Sequence, residues 1–282
     1  MKTHYLTVLF FMVLSNVCFA QNDSSKFIFN FTPLLRGVPI PSIDSAILAK
    51  ANAGDAESQY QIGMYWLENE WKENGLFGMI YIQGDENKHR KALEWFEKAA
   101  AQGHKEALIE AGIIYQYRVL GLNDKVEWNK KQAISYLIQG GADDDPILMM
   151  HLASLVGWGQ NGSDKESLIW CDKAISRGLP KNEDEIPESR RSYYTTLGGA
   201  YYFKALHYLG EKDVPQDYFK YFENLVLAEK NGYREALILI GECYFQGWGV
   251  KQDKSKAIEI WNSLKKEYKF EVEEIEEKYG YL

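Results

Sequence analysis

The feature that most constrains this chain is a segment that returns. Gly232-Tyr233-Arg234-Glu235-Ala236 is echoed by Gly103-His104-Lys105-Glu106-Ala107. Each leads to a second glycine, Gly241 and Gly112, and then to a tyrosine, Tyr244 and Tyr115, at matching spacings. Gly54, Gly63 and Trp66 keep the same intervals with Ser58 at the alanine position, and Leu197-Gly198 with Tyr201 repeats the end of the pattern. A second register, Lys91-Ala92 with Trp95, Phe96, Ala99 and Ala100, returns as Lys256-Ala257 with Trp261 and more loosely as Gln132-Ala133. Gly157-Trp158-Gly159 returns as Gly247-Trp248-Gly249. At that offset His151 falls on Gly241 and Ser167 on Ala257.

Such repeats are paired helices. Leu93, Phe96 and Ala100 form one stripe at helical spacing. A glycine inside a helix costs about 1 kcal/mol against alanine, so one that recurs marks a close approach of two axes. The structural repeat positions are therefore Gly63, Gly112, Gly198 and Gly241, with Gly247 and Gly249 supplying a turn that needs positive φ. A lone pair of helices buries only part of its apolar surface, so neighbours must stack.

The segment Ala236, Gly241, Tyr244, Gly247-Trp248-Gly249-Val250, Asp253, Lys256-Ala257, Trp261 resembles the Sel-one-like repeat, a variant of the tetratricopeptide repeat. Segment 89–115 is nearly as similar, and the resemblance extends over roughly 42–266. It weakens in the middle, where Pro146, His151 and Ser154 stand for the alanine, glycine and tyrosine. The resemblance implies an all-α fold: a right-handed α/α solenoid of about five helix pairs. A leading half-repeat at 42–52 precedes pairs that begin near 55, 104, 145, 188 and 233. A glutamate-rich capping helix at 267–282 ends the stack. Pro146 behind Asp145 reads as a first-turn proline after a capping aspartate. Three stretches break the repeat: an extended leader at 21–41, an insertion at 67–88 and a charged loop at 179–188.

Residues 1–20 read as an export signal. Lys2 is followed by the apolar run Tyr5–Leu14 and by Ala20 at the expected cut. The resulting localisation is the periplasm, or alternatively the exterior. Composition narrows the class further. At 46% apolar, 14% aromatic and 26% charged, the chain is too apolar for disorder and too charged for a multi-span membrane protein. With 32 basic against 40 acidic residues, neither nucleic acid nor stable membrane insertion is expected.

Only Cys171 and Cys243 lie beyond the signal. Placed two whole helices apart, they are expected to be buried free thiols, because a disulfide needs Cα atoms within about 7 Å. His89, His104, His151 and His207 show no metal-ligand spacing, and no nucleophile elbow, phosphate loop or dinucleotide fingerprint occurs. No cofactor and no catalytic residue are assigned. Secreted relatives once considered enzymes are cysteine-rich, unlike this chain.

The expected function is non-catalytic binding of one or more proteins. The resemblance implies an immunity protein that neutralises a secreted toxin or effector such as a phospholipase. The alternative is an envelope adaptor or host-directed virulence factor, and an enzyme ranks third. Aromatics outside the repeat consensus are the candidate contacts: Trp71, Phe77 and Tyr81 in the insertion, Tyr117, and Tyr194 and Tyr202 on the fourth pair's first helix. N-terminal sequencing of protein recovered from the periplasm should begin at Gln21. An intact Met1 would refute export by cleavage.

Overall fold

The computed structural model describes residues 43–74, 86–120, 130–157 and 162–280. The expected signal, leader and tip of the insertion lie outside those residues. Among the described residues there are twelve α-helices and no strand. They are α1 (Ser45–Asn52), α2 (Ala56–Asn74), α3 (Glu86–Ala100), α4 (Lys105–Leu120), α5 (Lys130–Gln139), α6 (Pro146–Gly157), α7 (Asp164–Arg177), α8 (Leu197–Leu206), α9 (Tyr218–Lys230), α10 (Ala236–Gln246), α11 (Lys254–Leu264) and α12 (Lys269–Tyr279). The chain divides into two compact units, residues 1–95 and 96–282.

In the first unit α1 packs against α2. Asp44 caps α1 by accepting the Ala46 N–H at 2.7 Å. Helix α2 runs on to Asn74, so the start of the expected insertion is helical. Lys91 holds its ammonium 4.3 Å above the Trp66 ring.

In the second unit each helix packs on the next from α4 to α12. This is the consecutive pairing of an α/α solenoid. The half-repeat, five pairs and capping helix appear in the expected order. The pair α10–α11 shows what holds a repeat together. Trp261 is fully buried and donates its indole N–H to the Ile238 carbonyl at 3.0 Å. A Cβ on Gly241 would stand 2.3 Å from that indole nitrogen. A Cβ on Gly112 would stand 2.9 Å from Leu137 Cγ.

The fourth pair takes a different register from the expected one. Asp217 N–H donates to Tyr208 O at 2.9 Å and caps α9, as Asp253 N–H donates to Tyr244 O at 2.8 Å and caps α11. Gln216 reaches Leu209 O and Gln252 reaches Phe245 O in the same way. Tyr208, not Tyr201, is thus the equivalent of Tyr244, and Ala205, not Gly198, is the equivalent of Gly241. The local Leu-Gly-x-x-Tyr string misled because it resembles the consensus seven residues too early.

With that register, bulk moves across the helix pair from repeat to repeat. Gly241 stands with Trp261, Gly112 with Leu137, Ala205 with Leu225, and His151 with Cys171. In the α6–α7 pair the larger residue stands on the first helix and the smaller on the second, the reverse of the α10–α11 pair.

Gly198 has another use: its Cβ would meet Asn231 O at 2.8 Å and Tyr233 Cβ at 3.0 Å, where α8 approaches the end of α9. Gly249 needs its positive φ of 68°, and its Cβ would stand 2.0 Å from Tyr218 O. Cys171 and Cys243 are both buried and free. Burial pushes the Cys171 thiol up to about 12 and the Cys243 thiol well above its usual range.

Gly241→Ala should lower unfolding stability by about 1–3 kcal/mol, because an overpacked core forces Trp261 off its carbonyl partner. Urea denaturation would measure it against Glu274→Ala, an exposed change expected within about 0.5 kcal/mol of the parent. Equal midpoints for both variants would show that this glycine is not the contact.

Candidate interaction surface

Helix α7 ends at Gly178, whose N–H bonds back to Ala174 O and Ile175 O. The chain does not begin α8 near 188 as expected. Pro187 interrupts helix formation, and the Thr195 hydroxyl accepts the Ser192 N–H and donates to the Ser192 carbonyl, which favours a turn. Residues 179–196 therefore form a strap of short 3-10 turns, Glu183–Glu185 and Glu188–Arg190. Its base closes where Leu197 N–H donates to Pro180 O at 2.8 Å. Leu179 and Ile186 are 6% and 2% exposed, so two apolar anchors pin it.

The strap reaches across to helices far earlier in the chain. Arg190, with a side chain 15% exposed, pairs with Glu106 and lies 3.7 Å from Glu110 and 3.9 Å from Asp145. Ser189 donates its hydroxyl to Glu110 at 3.0 Å. Glu110 is 2% exposed, and burial raises its carboxyl above the usual range while Arg190 opposes that shift. Asp145 has two duties: Oδ1 accepts the Ile147 N–H at 2.8 Å to cap α6, and Oδ2 faces Arg190.

His151 ties the same strap from α6. Its Nε2 lies 3.1 Å from Arg190 O and its Nδ1 lies 2.6 Å from Gln116 Oε1. Burial pushes the imidazole down to about 4, so the ring is neutral at pH 7. A carbonyl can only accept, so Nε2 carries the proton. Nδ1 must then accept, which requires the Gln116 amide turned over so that its NH2 group, not Oε1, faces the ring. An apolar residue at position 151 would strand both the Gln116 amide and a strap carbonyl.

Further along, Tyr193 and Tyr194 lie over α8. A Cβ on Gly199 would come 2.2 Å from Tyr193 O, so this glycine makes room for the strap. Beside Arg190 opens a cleft of about 470 Å³, lined by Lys105, Glu106, Ile109, Gly140, Gly141, Asp144, Asp145, Pro146, Ile147 and Arg190.

A second buried cluster has the atom order of a hydrolase triad. Ser167 Oγ lies 2.8 Å from His207 Nε2, and His207 Nδ1 lies 2.9 Å from Asp164. Ser167 is fully buried, and its hydroxyl also approaches Ala153 O at 2.9 Å. A Cβ on Gly157 would sit 3.0 Å from Ser167 Oγ, which leaves no room for a substrate carbonyl. The cluster joins α6 and α7 to the 3-10 turn His207–Leu209. Among the described residues no group of His, Cys, Asp or Glu has the makings of a metal site, and no helix is long and apolar enough to cross a membrane.

The candidate contacts fare unevenly. Phe77 and Tyr81 lie outside the described residues, as do the side chains of Trp71 in α2 and Tyr117 in α4. Tyr194 sits in the strap, not on a helix, and stacks on Phe203 with ring centroids 4.4 Å apart. Tyr202 is 9% exposed and packs against Tyr233. Tyr193, beside Tyr194 and 38% exposed, presents the open face. Sequence reasoning passed over Arg190, Glu110 and His151. An arginine pair in an acidic loop and a histidine on a glycine position were the available signals.

The Sel1 repeat family matches residues 56–104, 105–145 and 234–263. The chain thus carries three Sel1 repeats, in the pairs α2–α3, α4–α5 and α10–α11. The stretch between the second and third matches holds the strap and the exchanged His151–Cys171 positions. Among solved structures the chain is similar to c5321, a protective antigen present in uropathogenic Escherichia coli strains displaying an SLR fold. The TM-score is 0.52 at 22% identity, over 81% of this chain and 42% of that one. A Sel1 repeat protein from Oxalobacter formigenes has a TM-score of 0.49 at 18% identity, over 77% of this chain and 75% of that one. No curated protein matches the chain. The chain is thus a helical repeat protein that carries Sel1 repeats.

His151 gives this surface a pH dependence. A ring with its pKa lowered from 6.5 to about 4 contributes stability that is present above pH 6.5 and lost as pH falls toward 4. Glu110 acts in the opposite sense, since the penalty on its ionised form is relieved by acid. Comparing the parent with His151→Leu cancels the Glu110 contribution. Between pH 7 and 4 the parent should lose on the order of 3 kcal/mol more than the variant in urea titrations. Parallel pH profiles would show that His151 is not buried neutral.

Proposed function

We propose that the chain is exported, cleaved after Ala20, and works in the periplasm as a non-catalytic protein-binding protein. Within that role we infer immunity: it neutralises a secreted toxin such as a phospholipase effector. The observation that carries the reading is the strap. Helices α4, α6 and α8 hold a non-helical protein segment through an arginine, a serine, a backbone carbonyl and an aromatic stack. A face that holds such a segment has the chemistry to hold one from another protein. The net charge of −8 favours a basic partner, whose encounter would be steered by long-range attraction.

Deleting the gene should sensitise cells to neighbours that deliver the toxin into the periplasm. The full chain should restore survival, and the chain starting at Gln21 without a signal should not. Unchanged survival on deletion would reject immunity and favour the envelope adaptor. Rescue by the signal-less chain would reject the compartment.

A further inference from the structure

We propose that the carboxylates Glu106, Glu110 and Asp145, with the cleft beside them, form the docking site for an arginine-bearing loop of the partner protein, and that residues 186–196 hold its place in the free chain. The inference rests on the protein-binding reading above and names the surface and the chemistry of its partner.

The chain supplies the template itself. One guanidinium, that of Arg190, faces three carboxylates from two helices, and Ser189 and the Arg190 carbonyl add one hydrogen bond each. The cation is an arginine because a planar fork can address several carboxylates at once, which a lysine ammonium cannot do with the same geometry. The site is also incompletely satisfied. Among the described residues Glu110 Oε2 and Arg190 Nε are buried without a hydrogen-bond partner. A buried carboxylate with an unused oxygen retains the capacity to accept a better-placed donor.

Energetics permit the exchange. Breaking a buried ion pair by removing one partner is costly because it leaves an uncompensated charge. Replacing one guanidinium by another leaves no such charge, so what opposes the exchange is the loss of the Ile186 anchor, the Tyr194 stack and the His151 bond to the Arg190 carbonyl, contacts that an incoming loop must replace. The strap is suited to leave: it consists of 3-10 turns and extended residues, and its base is closed by its own backbone bond from Leu197 to Pro180. The cleft lined by Lys105, Ile109, Gly141 and Ile147 offers room beside the arginine for the flanking residues of an incoming loop.

The test uses a fluorescent peptide of residues 186–196 as the probe and the full chain as the receptor. Arg190→Ala in the chain empties the clamp and should tighten peptide binding about tenfold over the parent chain. Replacing the peptide's own Arg190 by Ala should weaken it by about tenfold on the same receptor. Adding Asp145→Asn to the receptor keeps the α6 cap, because asparagine caps as well as aspartate, and should weaken binding through charge alone. Binding that ignores the peptide's arginine, or that Asp145→Asn leaves unchanged, overturns the proposal.

If the Arg190→Ala chain does not fold, amide exchange in the unaltered chain decides. Saturating peptide should speed exchange across 186–196, and unchanged exchange overturns displacement. Toxin protection without peptide binding refutes this surface and spares the proposed function. Peptide binding by a chain that protects no cell does the reverse.

Discussion

The fold depends on size matching where the two helices of each pair cross. Gly241 lets Trp261 lie flat enough to reach the Ile238 carbonyl, so one missing side chain permits both an apolar contact and a buried hydrogen bond. Every other feature of the repeat is built around that crossing: the aspartate caps that start the second helices, the glycine turn after α10, and the aromatic stack of Trp261 on Tyr279 at the capping helix. The crossing joins one position on each helix, so the two residues there meet directly. Where histidine takes the glycine's place, at His151, cysteine takes the place of Trp261.

The strap follows from the same logic. Its passage over α8 needs Gly199, and its anchoring needs charges that α4 and α6 supply from a distant part of the chain. A buried arginine among carboxylates is a poor source of net stability, since desolvation offsets most of the attraction. It does specify position, because only one placement of residues 186–196 leaves the charges paired. The first-helix face of these repeats is therefore a surface matched to a polypeptide carrying an arginine.

The buried Ser167–His207–Asp164 cluster shows why atom order alone does not define an active site. In the repeat register Ser167 takes the place of Ala257, at a fully buried position. The hydroxyl bonds to His207 and to a carbonyl, and Gly157 closes the space above it. What a hydrolase would leave open to substrate is filled here by the neighbouring helix.

Much of this was legible beforehand, and the limit can be located residue by residue. The spacing of Gly112 and Tyr115, or of Gly241 and Tyr244, encodes helix pairs because packing two helices is a local problem with a short-range signature. Pro146 behind Asp145 and the two unpaired cysteines were readable for the same reason. The fourth pair's register was not, because Leu197-Gly198 and Tyr201 satisfy the pattern while Ala205 and Tyr208 satisfy the packing. The clamp was hidden further still. Glu106, Glu110, Asp145 and Arg190 are scattered over more than eighty residues, and nothing in their neighbours says that they meet. The sequence by itself determined the all-helical repeat, since the residues that build each pair are adjacent along the chain. Only the tertiary structure decided which face is occupied and by what, because long-range charge pairing and burial depend on where the stack brings distant segments together.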